Sequence, residues 1–132
     1  MGFDQVDKRA QILVIDDEEL IRGLLQDVLS KAGHTVLTAD DGEQGIALAE
    51  ESRPDIIFMD ISMPGMSGYE VTERLKKDPY LREIPVVFIS GKSAAEDGGR
   101  AFTYGGLTYV RKPISPKQVT ELVALTLESI PQ

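Results

Sequence analysis

Pro54-Asp-Ile-Ile-Phe-Met-Asp-Ile-Ser-Met-Pro-Gly-Met-Ser-Gly68 is the stretch whose reading decides the fold. A proline favours an extended entry, and Ile56 to Met59 follow as an unbroken apolar run. A run that short and that apolar predicts a strand buried on both faces, as in parallel sheets. It stops at Asp60, and Pro64, Gly65 and Gly68 then break regular structure. An acid at the carboxyl end of a buried parallel strand lies where open α/β sheets place their chemistry. The competing reading makes Asp60 the start of a turn or the cap of a later helix.

The flanking chain repeats the pattern. Ile12-Leu-Val-Ile15 is a second apolar run that stops at acids, Asp16, Asp17, Glu18 and Glu19. Ile21, Leu24, Leu25, Val28 and Leu29 then form a stripe at helical spacing, with Gly33 as the stop. Thr35–Ala39 reads as the second strand, and Gly42–Glu51 as a helix buried through Ile46, Ala47 and Ala49. Tyr69–Lys77 is the third helix, and Ile84–Ser90 a fourth strand ending in a hydroxyl. Ser93–Tyr104 is the expected fourth helix, weakened by Gly98 and Gly99 at about 1 kcal/mol each relative to alanine. Tyr109-Val110 is a minimal fifth strand, followed by Lys112-Pro113. Ser115 as N-cap and Pro116 at the first helical position start the last helix. Val119, Leu122, Val123 and Ile130 line its inner face, widened by Leu125 and Leu127. Strand and helix alternating five times predict a parallel sheet covered on both faces, with right-handed crossovers.

The 132 residues fit one domain, with residues 1–11 as a short polar lead-in and 12–132 as the domain itself. There is no cysteine, which excludes disulfides and thiolate metal sites and fits a reducing, cytoplasmic setting. No apolar run is long enough for a membrane span, and no signal-peptide pattern opens the chain. A formal net charge of −8 argues against direct contact with a nucleic-acid backbone.

In such a sheet all strands end along one edge. Asp16, Asp17, Asp60, Ser90 and Lys112 fall at or just past those ends. Three converging carboxylates repel one another unless a cation is present. Oxygen ligands without histidine or cysteine select Mg²⁺ or Mn²⁺. A metal, an ammonium and a hydroxyl together suit the oxygens of a phosphoryl group in transfer, and one carboxylate could attack phosphorus.

Ile12–Glu18 (ILVIDDE), Asp55–Gly68 (DIIFMDISMPGMSG), Pro85–Ser90 (PVVFIS) and Tyr109–Pro113 (YVRKP) resemble the response-regulator receiver domain of two-component signalling. The resemblance runs from about Ile12 to Ile130 without an insertion. It implies a three-layer, doubly wound (βα)5 fold of the flavodoxin-like kind, its five-stranded parallel sheet in the order 2-1-3-4-5. It further implies that Asp60 is the phosphoacceptor, and that Asp17, Asp60 and the Ser62 backbone carbonyl bind Mg²⁺. Asp16 would act through metal-bound water and orient Lys112. Lys112 would pair with the aspartate and then with phosphoryl oxygens, while Ser90 and Tyr109 would form the switch. A cis Lys112–Pro113 bond belongs to the same set of implications. The implied partners are a sensor histidine kinase or histidine phosphotransfer protein, and a downstream effector reached through the face of the fourth helix, fifth strand and fifth helix. Ending soon after the last helix, the chain reads as a free-standing receiver or as the front of a longer regulator.

Each residue also has a plainer reading. Asp17 could be the N-cap of the first helix, Lys112 a solvated lysine, Ser90 a strand-end hydroxyl and Tyr109 a strand aromatic. Glu18 and Glu19 read as first-turn acids favoured by the helix dipole. Two other functions compete with the signalling one. An aspartate-nucleophile, Mg²⁺-dependent phosphatase needs a second acid where Ser62 stands, and a receiver-like binding module would never take phosphate. A flavin or nucleotide domain is disfavoured, since no glycine-rich phosphate loop follows the first strand. The chain also departs from the receiver pattern at Gly91, Gly106 and Leu107, and at Gly98-Gly99. We expect Gly91 to leave a phosphoryl group open to water, and the Gly98-Gly99 helix to be short or mobile until phosphorylation or a partner orders it.

Overall fold

The computed structural model describes residues 9–91 and 105–129. Five strands form one parallel sheet: β1 (Gln11–Ile15), β2 (Thr35–Ala39), β3 (Ile56–Asp60), β4 (Val86–Ser90) and β5 (Thr108–Arg111). Their order is β2-β1-β3-β4-β5, as the receiver resemblance implies. Helices α1 (Glu19–Lys31), α2 (Gly42–Ser52), α3 (Gly68–Lys76) and a C-terminal helix (Pro116–Ser129) complete the described chain. The expected fourth helix, with Gly98 and Gly99, lies outside the described residues, as does Ile130.

Alternating side chains on the inner strands divide the core into two layers. Leu13, Ile15, Ile57, Met59 and Phe88 pack with Ile46, Ala49, Val71 and Leu75 beneath α2 and α3. Ile12, Val14, Phe58, Val87 and Ile89 pack on the other side with Leu25, Leu29, Val119 and Val123, from α1 and the C-terminal helix. Every residue of β3 and β4 is buried, so the apolar runs are explained by cover on both faces. Burying a side chain of this kind is worth about 1.5–3 kcal/mol, which makes the central strands the rigid base of the site. The packed chain begins slightly before Ile12. Ala10 is buried, and its N–H donates to His34 Nδ1 at 3.0 Å.

Local signals set the helix ends. After α1, the Gly33 N–H donates to the Ser30 carbonyl and the His34 N–H to the Leu29 carbonyl. Gly33 has φ 102°, so the expected stop is a Schellman cap that relies on glycine's left-handed freedom. Ser67 and Glu70 form a reciprocal capping box that starts α3 at Gly68, one residue before the expected Tyr69. The Ser115 hydroxyl accepts from the Gln118 N–H at 3.3 Å, as its N-cap reading requires.

Two expected core positions are corrected. Ala47 is exposed, and the inward stripe of α2 is Gly42, Gly45, Ile46 and Ala49. The glycines turn inward because contact there is close: a Cβ on Gly45 would lie 2.4 Å from Ile15 Cδ1 of β1, and one on Gly42 2.6 Å from Val71 Cγ2 of α3. Leu125 is 64% exposed, on the side of its helix opposite Val119, Val123, Thr126 and Leu127. Thr126 takes a buried place on the inner face because its hydroxyl donates to the Leu122 carbonyl at 2.8 Å.

Candidate functional site

The site lies along the carboxyl edge of the sheet. Asp16 directly follows β1 and is fixed at both ends. Its N–H donates to the Ala39 carbonyl at 3.1 Å, extending the ladder to β2. Its carbonyl accepts from Arg22 Nη1 at 2.8 Å, and its Oδ1 from the Glu18 N–H at 2.8 Å. Asp16 is thereby fully buried, while Asp17 remains exposed. Asp60 closes β3, only 2% exposed, and its Oδ1 accepts from the Ser62 N–H at 3.3 Å. The Gly68 N–H returns to the Ile61 carbonyl at 2.9 Å, folding the Pro/Gly loop back over the strand end.

Ser90 closes β4 and is buried, and its carbonyl accepts from the Lys112 N–H at 2.7 Å. Lys112 follows β5, and its peptide bond to Pro113 is cis, as the receiver resemblance implies. Carboxylate oxygens of Asp16, Asp17 and Asp60 all lie within 4.8 Å of one another. Lys112 Nζ stands 3.7 Å from Asp60 Oδ1 and 3.8 Å from Asp16 Oδ2, and it donates a hydrogen bond to Glu18 Oε1. Tyr109 is half-buried on β5 and packs against the α2/α3 side of the core.

Five of the residues singled out in the sequence, Asp16, Asp17, Asp60, Ser90 and Lys112, therefore meet at one edge. Ser62 contributes its N–H to Asp60. The N-cap reading of Asp17 does not hold, because the cap position of α1 is Glu18, and Glu18 makes no capping bond. The roles of Glu18 and Arg22 were not foreseen. Nothing in an acid after Asp-Asp, or in an arginine one turn later, tells which way either side chain turns.

The electrostatics of the pocket call for a cation. Burial, reinforced by the neighbouring Asp16 and Asp17 carboxyls, pushes the Asp60 carboxyl up to about 8, against the pull of Lys112 and the Ser62 N–H. Burial also raises Asp16, opposed by the Glu18 N–H and Lys112. Burial pulls Lys112 down, but the Glu18 hydrogen bond and the Asp60 and Asp16 charges outweigh it and hold the ammonium above its ordinary range. Asp16 Oδ2 and Asp60 Oδ2 are buried without a hydrogen-bond partner. Buried carboxylate oxygens without a hydrogen bond, in an all-oxygen cluster, fit a hard divalent ion.

Comparison with known proteins settles the family. Residues 12–124 match the response regulator receiver domain. The chain belongs to that family. As a receiver it is 35% identical over 118 residues to protein PilH of Pseudomonas aeruginosa, covering 89% of this chain and 98% of PilH. The alkaline phosphatase synthesis transcriptional regulatory protein PhoP of Bacillus subtilis is 36% identical over 117 residues, covering 89% of this chain but 48% of that protein. The receiver thus spans nearly all of one relative and about half of the other. Among solved structures, chemotaxis protein CheY4 of Vibrio cholerae superposes with a TM-score of 0.85 at 26% identity, covering 90% of this chain and 99% of that one. Receivers are signalling domains rather than enzymes acting on an external substrate; they carry an acidic, Mg²⁺-binding pocket and work with histidine kinases and output effectors. Among the described residues, no helix is long and apolar enough to cross a membrane.

Proposed function

We propose that this receiver takes a phosphoryl group onto Asp60 and so changes the face it offers to a downstream partner. The observation that carries the reading is the pocket itself: three carboxylates within 4.8 Å, with a lysine ammonium 3.7 Å from the buried Asp60. Asp17, Asp60 and the Ser62 carbonyl would hold Mg²⁺ or Mn²⁺, with Asp16 acting through water. The buried oxygens of Asp16 and Asp60 that lack a hydrogen bond support that assignment. A bound divalent ion neutralises the carboxylates and the charge that builds on the phosphoryl oxygens.

The donor is a phosphohistidine of a sensor kinase or phosphotransfer protein, or a small phosphodonor. An Asp60 carboxylate oxygen attacks phosphorus, the P–N bond breaks, and the imidazole leaves with its electron pair and takes up a proton. Lys112 pairs with the incoming oxygens from its place beside Asp60. Ser90, at the tip of the neighbouring strand, supplies a hydroxyl that bonds the phosphate, and Tyr109 follows it inward. The modification adds roughly two negative charges to the pocket. Contacts that exist in only one of two conformations bias the domain toward that conformation. Attack of water on phosphorus later breaks the P–O bond, releases inorganic phosphate and restores the carboxylate. The domain thus promotes its own modification and its own reset.

Incubation with acetyl phosphate and Mg²⁺ tests this directly. A one-phosphoryl mass gain that requires the metal and disappears in Asp60→Asn is the expected result. An equal gain in Asp60→Asn, or one indifferent to metal, overturns the assignment.

A further inference from the structure

The inference rests on the receiver reading and concerns how Lys112 is held before any phosphoryl group arrives. Glu18 occupies the N-cap of α1 with extended backbone, φ −90° and ψ 117°, yet its side chain makes no capping bond. Its carboxylate reaches across the mouth of the pocket to accept a hydrogen bond from Lys112 Nζ, 94 positions away in sequence. The same ammonium is at 3.7 and 3.8 Å from Asp60 and Asp16, beyond hydrogen-bonding distance. One buried oxygen of each of those acids lacks a hydrogen-bond partner. Among the described residues, then, the lysine donates to the acid at the rim rather than to either acid at the floor.

The physical reason is solvation. Glu18 is 55% exposed, whereas Asp60 and Asp16 are buried, so a bond to Glu18 asks for less desolvation of the ammonium. Bonded at the rim, the ammonium stays partly hydrated and free to leave. We propose that Glu18 is a positioning residue that keeps Lys112 off Asp60 until a phosphoryl group draws it across, and so weakens the domain's hold on that group. Lys112 must move inward to donate to the pocket, and that movement stretches its bond to Glu18. The strength that bond loses is therefore subtracted from the binding of whatever occupies the pocket.

The test is a beryllofluoride titration of the full chain at saturating Mg²⁺, followed by amide shifts, in the parent and in Glu18→Gln. Titrating Mg²⁺ alone first fixes its own affinity in each protein. Removing an exposed ion pair should tighten beryllofluoride binding about two- to fivefold. High salt, which screens that pair in the parent, should narrow the gap. The Lys112 side-chain signals should also move in ligand-free Glu18→Gln, and Glu18→Asp, which keeps the charge on a shorter arm, should fall between the two. If the parent binds and Glu18→Gln binds equally or more weakly, this inference fails while the receiver reading stands. If the parent itself does not bind in saturating Mg²⁺, the phosphoacceptor reading fails and takes this inference with it.

Discussion

Gly68 lies against the backbone of Asp60: a Cβ on Gly68 would sit 2.3 Å from the Asp60 carbonyl oxygen and 2.9 Å from Met59 Cγ. The first turn of α3 therefore rests on the residue proposed to accept phosphate, and only a hydrogen fits between them. Gly68→Ala must move either the helix or the strand end. We expect it to cost about 1–3 kcal/mol of stability and to weaken beryllofluoride binding. Urea unfolding and the same titration measure the two effects.

Asp60→Asn should abolish the metal-dependent mass gain while making the metal-free fold sturdier. It replaces a buried carboxyl that, without a divalent ion, must either carry charge beside Asp16 and Asp17 or hold a proton far above the usual carboxylate range. A gain on the order of 1 kcal/mol is expected in chelator, where Lys112 alone opposes the crowding of the three carboxyls and no divalent ion offsets it. A lower urea midpoint for the variant would contradict this.

Magnesium should raise the melting temperature of the parent, since a ligand at ten times its Kd adds about 1.4 kcal/mol to the folded state. In Asp17→Asn that rise should be lost with the fold intact, because Asp17 is exposed and takes no part in the core. Thermal melts with and without the metal decide it.

Gly91, next to Ser90, is exposed, and among the described residues a Cβ there would meet nothing within 4 Å. Gly91→Val should therefore fold normally. If the open position lets water reach the phosphoryl group, the variant should lose its label more slowly than the parent. An unchanged rate of phosphate release would remove Gly91 from the account.

The chain's one histidine supplies a pH dependence. Burial lowers the His34 pKa from 6.5, and Nδ1 must stay unprotonated to accept from the Ala10 N–H. As pH falls below 6.5 the unfolded chain binds a proton that the folded chain resists. The stability that His34 contributes is thus complete above that pH and lost as pH drops toward the folded value. The raised pocket carboxyls act in the opposite direction. The loss therefore appears as a difference between parent and His34→Gln, read from urea unfolding across pH 5 to 8.

The sequence revealed the strands and the site edge because both depend on short-range signals. Apolar runs such as Ile12–Ile15 and Ile56–Met59 can hardly be anything but doubly covered strands, and each is followed by its acid. Strand order came from the resemblance, because nothing local in β1 says that β2 and β3 flank it. Ala47 and Leu125 were misplaced because an apolar residue near a stripe looks like part of it, while glycines such as Gly45 look like gaps. Contact with Ile15 leaves room for no more than hydrogen at Gly45, and that is a property of two elements rather than one. Glu18 was overlooked for a related reason: its role depends on a lysine at the far end of the chain.

The backbone bond from the Lys112 N–H to the Ser90 carbonyl ties two neighbouring strand tips together. One tip bears the hydroxyl and the other the ammonium, so the two cannot drift apart without breaking it. A tug on either side chain is a tug on a common hinge pin. The outer strand β5, with its half-buried Tyr109, is paired to β4 from Val87–Thr108 to Ser90–Arg111, so that pull spreads along the whole ladder.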